Sequence, residues 1–410
     1  MSSPRVVVTG VGTVNPLGLT AEEFWKSAVA GVSGIGKISR FDATNFYVKV
    51  AGEVKGFDPY KYIDPKVADR NPRAVHYGLV ASQEAMAQAG IDTSREIPER
   101  VGVSVACMSE SDYIVRQAQM LERRGPRRVD PLFVARSGPS APAMQIGMAF
   151  QAKGPNTSVN SLCASGADSL GTAMNFIQLG YADVMIAGGT DSCLSPLGMA
   201  GLDILGATTR EPDPAKASRP FDAERSGFVF GEGGGIVVLE SLDHAKARGA
   251  TILAELGGAG WSFDAFDQTA PAAPAEAYAM RMAMERAGVA PSDVDYVNAH
   301  GTSTRLNDPT ETQAIKMAFG DHAKKLAISS TKSMTGHAIT AAGAIESVAC
   351  VMTLVSGVIH PTINYRTPDP ECDLDYVPNT ARQTKVNVCL TNSFGLGGEN
   401  CCLVFKRFKD

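Results

Sequence analysis

Short apolar runs rich in β-branched residues alternate along the chain with segments of helical periodicity. The apolar runs include residues 5–8, 100–105 and 184–187, while residues 21–30 and 168–179 show the helical pattern. Apolar runs without polar alternation are typical of strands that are buried on both faces. Their alternation with helices predicts βαβ units and a mainly parallel sheet, and therefore an α/β fold.

A weak internal repeat adds to this pattern. Near the middle of the chain, the phenylalanine- and glycine-rich segment 228–234 leads into the apolar run 236–239. Near the end, residues 393–398 lead in the same way into residues 402–405. Each segment lies at a similar distance downstream of a predicted helix start. The repeat predicts two related halves of one duplicated fold, residues 1–250 and 251–410.

The composition changes this picture little but excludes some functions. The chain has 410 residues, of which 44% are hydrophobic and 20% charged, and its formal net charge is −5 at pH 7. A protein without an overall positive field is not expected to bind nucleic acid. The most membrane-like stretch, residues 341–361, is interrupted by Glu346 and Ser347. We therefore expect a buried helix followed by a strand there, and no membrane partner.

The eight cysteines indicate a reducing compartment. They show no C-x-x-C spacing, and most of them lie within apolar runs. This pattern favours buried, reduced thiols over a disulfide framework or a zinc site. The N-terminal residues lack the long apolar core of a signal peptide. We therefore expect a cytoplasmic protein without a bound metal.

One cysteine differs from the others in its surroundings. Cys163 lies in the sequence Ser-Leu-Cys-Ala-Ser-Gly, just before the helical segment 168–179. At the start of a helix, the macrodipole and the free backbone N–H groups stabilise a thiolate and lower the pKa of the thiol. Cys163 is therefore predicted to be a nucleophile that accepts an acyl group from a thioester. The alternative is a small buried side chain, which we expect for the other seven cysteines.

Two histidines lie in comparable positions. His300 follows an apolar run and precedes Gly-Thr-Ser-Thr, and His337 ends the segment Lys-Ser-Met-Thr-Gly-His before another helix. Catalytic groups gather where strands end in α/β folds. Since the helix after His337 mirrors the one after Cys163, the two helix starts are predicted to meet. Neutral imidazoles there would donate hydrogen bonds to a developing enolate. The alternative is that both histidines only cap helices.

The sequences around Cys163, His300 and His337 resemble, nearly letter for letter, the active-site motifs of the β-ketoacyl-[acyl carrier protein] synthases, and most closely those of the type II elongating enzymes. The resemblance extends from Val6 to the last predicted strand. It implies a thiolase-like fold, in which duplicated βαβ halves form a five-layered αβαβα sandwich around a buried helical layer. It also implies decarboxylative Claisen condensation of malonyl-[acyl carrier protein] with an enzyme-bound acyl thioester, which elongates fatty acyl chains.

The resemblance assigns roles to further residues. Thr302 and Thr304 would hydrogen-bond the phosphopantetheine arm. Lys332 would lie beside the imidazoles as a further catalytic residue, and Glu346 would supply the counter-charge that a buried lysine needs. No metal or organic cofactor is implied, because the phosphopantetheine arm arrives on the carrier protein.

The segment 392–398 resembles the glycine-rich gating loop of the family. This loop includes Phe394 and completes an oxyanion hole beside the nucleophile. The chain departs from the family pattern at Leu396 and Leu202, because type II enzymes usually carry phenylalanine at the gate and on the malonyl side of the pocket. The two residues before Cys163 also differ from the usual Thr-Ala. These departures bear on substrate preference and leave the chemistry in place.

Two basic clusters occur in this acidic chain. One contains Arg127 and Arg128 with two further arginines nearby, and the other is centred on Lys66. A solvated surface is the simpler interpretation of such charges. Carrier proteins are strongly acidic, however, and the resemblance places Arg127, Arg128 and Lys66 at positions where family members dock them. The acyl carrier protein is therefore the predicted partner.

Several other functions compete with this interpretation. The nearest is the ketosynthase subunit of a type II polyketide or polyene synthase, which would form a heterodimer with a chain-length factor instead of a homodimer. A catalytically silent scaffold subunit is disfavoured because all three motif residues are retained. Thiolases and plant-type polyketide synthases use Cys-His-Cys or Cys-His-Asn sets, which do not match. Binding of NAD or ATP is not expected, since the glycine-rich loop lacks the first-strand context of a nucleotide fingerprint.

Overall fold

The computed structural model describes residues 3–410. Its strands are β1 Val6–Val14, β2 Gly36–Lys37, β3 Val50–Ala51, β4 Val101–Ala106, β5 Asn156–Thr157, β6 Val184–Asp191, β7 Gly233–Ser241, β8 Ala254–Phe263, β9 Tyr296–Asn298, β10 Ala327–Ser329, β11 Val358–Ile359, β12 Arg382–Gln383, β13 Val388–Phe394 and β14 Glu399–Lys406. Its helices are α1 Ala21–Val29, α2 Pro65–Ala68, α3 Arg73–Ala89, α4 Ser111–Arg124, α5 Phe133–Ser137, α6 Ala141–Ala149, α7 Ser165–Gln178, α8 Pro196–Ile204, α9 Pro214–Ala217, α10 Leu242–Ala247, α11 Ala273–Ala287, α12 Asn307–Phe319, α13 Lys332–Thr335 and α14 Ala342–Ser356.

Ten strands form a single sheet in the order β10-β9-β13-β14-β8-β1-β7-β6-β4-β5. The two halves of the sheet have matching strand orders. Outward from the centre, one half has the order β1-β7-β6-β4-β5 and the other has the order β8-β14-β13-β9-β10. The sides meet where β1 and β8 pair antiparallel, with Val7 opposite Glu255. This repetition is what the internal sequence repeat predicts.

The prediction of a mainly parallel sheet is wrong. Only the outer strands of each side pair in parallel, namely β4 with β5 and β6, and β9 with β10 and β13. The five inner pairings are antiparallel. An antiparallel neighbour needs no crossover helix, and β13 and β14 are joined directly by a short glycine-rich turn. Buried apolar runs therefore do not by themselves distinguish the two kinds of pairing.

The helices form three layers, one between the two halves of the sheet and one on the outer face of each half. The central layer consists of α7 and α14, which pack on strands of both sides. One outer layer contains α3 on β1 and β7, and the other contains α11 on β8 and β14. Three large apolar clusters correspond to this layering, one around the central helices and one beneath each outer layer. The α/β thiolase-like sandwich predicted from the sequence is confirmed.

The central helices approach each other at two glycines near their first turns. A side chain at Gly166 of α7 would collide with the backbone of Ala344, 2.7 Å from its nitrogen. A side chain at Gly343 of α14 would collide with the backbone of Ala167, 2.8 Å from its nitrogen. These reciprocal contacts bring the two helix starts together, as the sequence predicted, and place the residues just before them in one region.

The apolar stretch near residue 350 is part of this central layer. Among the described residues, one helical segment, Ile339–Ser356, is long and apolar enough to cross a membrane, but most of it is buried inside the protein. The strand β11 follows it directly. The prediction of a buried helix followed by a strand is confirmed.

Candidate active site

Cys163 lies on a strained turn that leads into α7. The residue before it, Leu162, has a left-handed backbone with a φ angle of 49°. Residues Leu162–Ala164 form a single 3-10 turn. The hydroxyl of Ser165 holds this turn, because it accepts a hydrogen bond from the Ser161 N–H at 2.8 Å and donates one to the Leu162 carbonyl at 2.7 Å. The thiol is thereby presented at the helix start, as predicted.

The second half contains a matching turn before α14. Ile339 has a φ angle of 44° and begins the 3-10 turn Ile339–Ala341. Within this turn Thr340 occupies the position that Cys163 has in the first half. His337 lies three residues earlier, where its N–H donates to the Val229 carbonyl at 2.7 Å. The histidine therefore enters the site from the loop before the turn and is not the direct counterpart of the cysteine.

The two histidines meet next to the thiol. The ring centroids of His300 and His337 are 5.3 Å apart, and the rings are nearly perpendicular. Phe228 packs edge-on against His337 at 5.3 Å, and Phe394 lies 5.7 Å from His300. Burial and the positive charge of Lys332 hold the pKa of each imidazole well below its usual range. Both rings are therefore neutral at neutral pH, as the sequence analysis expected.

The ion pair of Lys332 and Glu346 orients one of these rings. The Lys332 ammonium lies 3.3 Å from Nδ1 of His300 and pairs with a carboxylate oxygen of Glu346, and both side chains are 2% exposed. Since an ammonium only donates, Nδ1 of His300 must accept and its proton must be on Nε2. Burial raises the pKa of Glu346 to about 7, although the charge of Lys332 opposes this. The predicted pairing is thus present in the structure.

A buried carboxylate that the sequence analysis missed fixes the backbone around His300. Glu311, in α12, accepts hydrogen bonds from the N–H groups of His300 at 2.8 Å and of Gly301 at 2.7 Å. It also accepts one from the side-chain amide of Asn392 at 2.9 Å, which links this loop to β13. No motif marks Glu311. Its only signal is that the apolar Ala314 and Ile315 share its face of the helix.

The thiol itself departs from expectation. Burial raises the pKa of Cys163 to about 11, and this effect exceeds the opposing effects of the Leu396 backbone N–H, the charge of Lys332 and the Cys163 N–H. The predicted lowering of the thiol pKa is therefore wrong, because the helix start lies inside the protein, where a thiolate loses its hydration. The two N–H groups point toward the sulfur region, as an oxyanion hole requires.

The glycine-rich loop that follows β13 covers the thiol. Gly395 donates its N–H to the Glu399 carbonyl at 2.6 Å, and Gly398 donates its N–H to the Gly395 carbonyl at 3.0 Å. Gly397 and Gly398 have φ angles of 105° and 97°, which residues other than glycine rarely adopt. Leu396 lies between these glycines at the position predicted for the gate.

A cavity of about 370 Å³ joins most of the predicted residues. Thr302 and Thr304 line it side by side, with their hydroxyl oxygens 2.9 Å apart. The predicted site residues in its wall are Cys163, His300, Thr302, Thr304, His337, Phe394 and Leu396. Leu202 does not line this cavity. It packs instead, together with Cys163, against an apolar cluster that includes Phe228 and Ile339.

The predicted carrier-docking residues lie outside the cavity. Lys66 is exposed in α2, and Arg127 and Arg128 are exposed in the 3-10 turn Pro126–Arg128 that follows α4. None of the three forms an ion pair with another residue that the structure describes. Across residues 3–410, no group of three or more His, Cys, Asp and Glu side chains is arranged to hold a metal ion.

Two solved relatives of the fold come from multi-subunit systems. A ketosynthase in complex with its type II polyketide synthase acyl-carrier protein, AntDE:AntF, matches with a TM-score of 0.91 and 35% identity, covering 99% of this chain and 100% of that one. The ishigamide ketosynthase/chain length factor matches with a TM-score of 0.93 and 35% identity, covering 100% of both chains.

Sequence relatives and family models agree with this likeness. The 3-oxoacyl-[acyl-carrier-protein] synthase 2 of Coxiella burnetii is 43% identical, covering 100% of both chains. The enzyme of the same name from Synechocystis is 42% identical, covering 100% of this chain and 99% of its own. The models "Beta-ketoacyl synthase, N-terminal domain" and "Beta-ketoacyl synthase, C-terminal domain" match residues 3–245 and 253–366. The chain belongs to the β-ketoacyl synthase family.

Proposed function

We propose that the protein catalyses decarboxylative Claisen condensation of malonyl-[acyl carrier protein] with an acyl group on Cys163, and so elongates fatty acyl chains. One observation carries this proposal: the thiol and the rings of His300 and His337 meet in one cavity. The relatives from Coxiella burnetii and Synechocystis, which are named for this activity, support it.

In the first half-reaction, Cys163 takes the acyl group from a carrier-bound thioester. Its sulfur attacks the thioester carbonyl carbon, the bond from that carbon to the pantetheine sulfur breaks, and the arm leaves as a thiol. Because burial keeps the resting Cys163 protonated, its proton is lost as the sulfur attacks and passes to the leaving thiol. The backbone N–H groups of Cys163 and Leu396 stabilise the carbonyl oxygen as it becomes negative.

The two histidines act on the malonyl group. The bond between its terminal carboxylate and the central carbon breaks, carbon dioxide leaves, and the electron pair moves toward the thioester oxygen as an enolate. Nε2–H of His300 and the ring of His337 donate hydrogen bonds to that oxygen. Both imidazoles are neutral, so they stabilise the enolate without protonating it. Lys332 and Glu346 hold the tautomer of His300.

Condensation joins the two halves of the reaction. The enolate carbon attacks the carbonyl carbon of acyl-Cys163, and the carbon–sulfur bond to Cys163 breaks. The sulfur leaves as a thiolate and takes up a proton from solvent water, which restores the resting thiol. The product is a β-ketoacyl chain, two carbons longer, that stays on the carrier protein. No cofactor is needed in this scheme beyond the phosphopantetheine arm of the substrates.

The separation of roles can be tested with Cys163→Gln, whose side chain imitates an acylated cysteine. This variant should release carbon dioxide from malonyl-carrier protein and form no β-ketoacyl product. Cys372→Ala, which removes a buried thiol outside the cavity, is the matched control and should condense normally. A β-ketoacyl product made by Cys163→Gln, detected by mass spectrometry, would contradict the assignment of the nucleophile.

The partner is an acyl carrier protein that docks on Lys66, Arg127 and Arg128. Their exposure and their lack of ion pairs among the described residues support this proposal. Charge reversal at Arg127 and Arg128 should raise the KM for carrier-bound substrates and spare acyl-coenzyme A, and the penalty should shrink as salt rises. Charge reversal at Lys324 and Lys325, which are exposed in the other half of the chain, is the matched control and should leave both KM values unchanged. Equal losses with both substrate types would refute docking at this cluster.

The quaternary state bears on the second candidate function. The likeness to the ishigamide ketosynthase/chain length factor favours a type II polyketide or polyene ketosynthase in a heterodimer. Against this, the sequence relatives named above are more similar to this chain, at 42–43% identity against 35%, and their name favours the elongation of fatty acyl chains. We propose the homodimer, in the cytoplasm, with the halves 1–250 and 251–410 in each chain. Native mass spectrometry of the purified chain tests it, and a protein that remains monomeric until a second subunit is co-expressed would favour the polyketide assignment.

A further inference from the structure

A second cavity, of about 530 Å³, adjoins the catalytic cavity. Three arginines line it, Arg210, Arg219 and Arg305, together with one acidic residue, Glu211. We refer to it as the arginine pocket. It shares Gly206, Ser226 and Arg305 with the wall of the catalytic cavity. The mechanism described above uses none of its charges.

The arginines leave hydrogen-bond donors available. Arg305 is exposed and forms no ion pair with any residue between 3 and 410. Arg210 stacks over the ring of Tyr47, with its guanidinium carbon 4.3 Å from the ring centre, and forms no ion pair with a described residue. Arg219 pairs with the exposed Glu224 at 3.3 Å through one terminal nitrogen, while its Nε is buried without a partner. The terminal N–H groups of Arg210 and Arg305 are therefore available to an acceptor in this pocket.

The single carboxylate does not neutralise this charge. Glu211 accepts a hydrogen bond from the N–H of Asp213 at 3.1 Å and pairs with none of the three arginines. The pocket therefore keeps a net positive charge and presents planar guanidinium groups. Such groups bind phosphate oxygens through paired, charge-assisted hydrogen bonds.

One loop connects the arginine pocket to the catalytic cavity. It runs from His300 to Arg305, and Ser303 in its middle has a left-handed backbone with a φ angle of 70°. The Ser303 hydroxyl accepts a hydrogen bond from the N–H of Arg219, and its carbonyl accepts one from the N–H of Gly227, both at 3.0 Å. These bonds anchor the loop to the wall of the pocket. Along the loop, the residues that line the catalytic cavity are, in order, His300, Thr302, Thr304 and Arg305.

We propose that the arginine pocket binds the phosphate at the far end of the pantetheine arm while the thioester lies at Cys163. The order of groups along the loop follows the order of groups along the arm: the reacting thioester at His300, the amides at Thr302 and Thr304, and the phosphate at Arg305. This inference rests on the proposed function, because it assumes a pantetheine substrate. The pocket would align the arm and add affinity that does not depend on the surface of the carrier protein.

The test compares acyl-phosphopantetheine with acyl-pantetheine, which lacks only the phosphate, as donors to Cys163. The KM of the unmodified protein should be lower for the phosphorylated donor. Arg305→Gln should raise that KM by about tenfold, the order expected for one charge-assisted contact, and should leave the KM for acyl-pantetheine unchanged. The matched control is Lys216→Gln, which removes a nearby charge that pairs with Asp213 and lines neither cavity.

Calorimetry gives a readout that does not require turnover. Phosphopantetheine should bind the unmodified protein more tightly than pantetheine does, inorganic phosphate should compete with it, and Arg305→Gln should reduce the difference by about tenfold. Equal affinities for the two arms, or an equal effect of Arg305→Gln on both donors, would overturn the proposal. A protein that is acylated by neither donor would instead contradict the proposed function, and the calorimetry would then still decide whether the pocket binds phosphate.

Discussion

The two halves of the molecule contain the same turn, but the central residue of the turn and its surroundings differ. Leu162–Ala164 and Ile339–Ala341 are both single 3-10 turns that begin with a left-handed residue and lead into a buried helix. In each half a glycine three residues after the turn's central residue lets the opposite helix approach. The central residue is Cys163 in one half and Thr340 in the other. The backbone is thus duplicated, while the chemistry is not.

The surroundings of the two central residues explain the difference. Thr340 is fully buried, and its hydroxyl lies within hydrogen-bond distance of two acceptors, the Asp191 carboxylate at 2.6 Å and the Thr190 carbonyl at 2.9 Å, so its O–H has a partner inside the protein. Cys163 instead faces the catalytic cavity and the two histidines, both of which come from the second half. A duplicated fold therefore provides two equivalent positions, of which one is closed by hydrogen bonds and the other stays open to the cavity.

The strongest test of this difference moves the thiol. Cys163→Ala should lower acyl transfer by about 10³-fold or more, because the nucleophile is lost. Adding Thr340→Cys should not restore it, because that position has no access to the cavity. Thr340→Val alone should keep acylation and lower the free energy of unfolding by about 1–3 kcal/mol, since the Asp191 carboxylate loses a buried donor. Mass spectrometry of the acyl-enzyme and thermal unfolding measure these effects, and activity of the double variant would disprove the asymmetry.

Substitution of the two histidines tests what the second half of the chain contributes to the reaction. His300→Ala and His337→Ala should each lower condensation by about 10²-fold or more while leaving part of the acylation of Cys163 intact. His360→Ala is a matched control, because this histidine is also buried and neutral but lies outside the cavity. Single-turnover rates of the two half-reactions separate the effects. A histidine variant that condenses at the parent rate would show that the ring is structural.

The raised pKa of Cys163 predicts a steep dependence on pH. Alkylation by iodoacetamide requires the thiolate, whose fraction below the pKa rises about tenfold for each pH unit. With a pKa of about 11, the rate at Cys163 should still be rising at pH 9.5. A thiol with a lowered pKa would reach its plateau before pH 8. Peptide mass spectrometry after timed quenching, with glutathione as a reference thiol, distinguishes the two.

The sequence predicted the proximity of those site residues that lie in recognisable motifs along the chain. Cys163, His300 and His337 lie in short local motifs, and Glu346 follows Lys332 at a spacing that one loop and one helix can close. Glu311 could not be predicted in the same way, because its contacts with the His300 loop arise only when α12 folds back. The pKa of Cys163 was predicted to shift in the wrong direction for a related reason.

The error in the direction of the Cys163 pKa shift shows how a local effect can be outweighed by a tertiary one. A helix start is visible in the sequence, and its effect on a thiol has a known direction. Burial depends on the whole fold, since the opposite helix start and the glycine-rich loop together enclose the sulfur. The arginine pocket is a further example, because Arg210, Arg219 and Arg305 come from separate segments that only the folded chain brings together. What the sequence missed was tertiary proximity in every case.

The smallest expected effect concerns the loops that follow the equivalent strands β6 and β13. After β6, the Asp191 carboxylate accepts a hydrogen bond from the N–H of Cys193 at 2.8 Å, which fixes the start of that loop. After β13, glycines flank Leu396 and allow the loop to change its backbone conformation at low steric cost. Leucine covers the thiol with less volume than phenylalanine, so bulky or rigid acyl chains should enter more easily.

Leu396→Phe should therefore shift preference toward straight, saturated acyl chains by about 1 kcal/mol, which is typical of a change in one apolar side chain of a pocket. Competition between straight and conjugated acyl-carrier substrates, measured as the ratio of the two acyl-Cys163 species, gives this difference directly. Leu179→Phe, at an exposed position just after α7 and outside the cavity, is the matched control and should leave the ratio unchanged. An unchanged ratio in Leu396→Phe would mean that the side chain at this position does not set acyl preference.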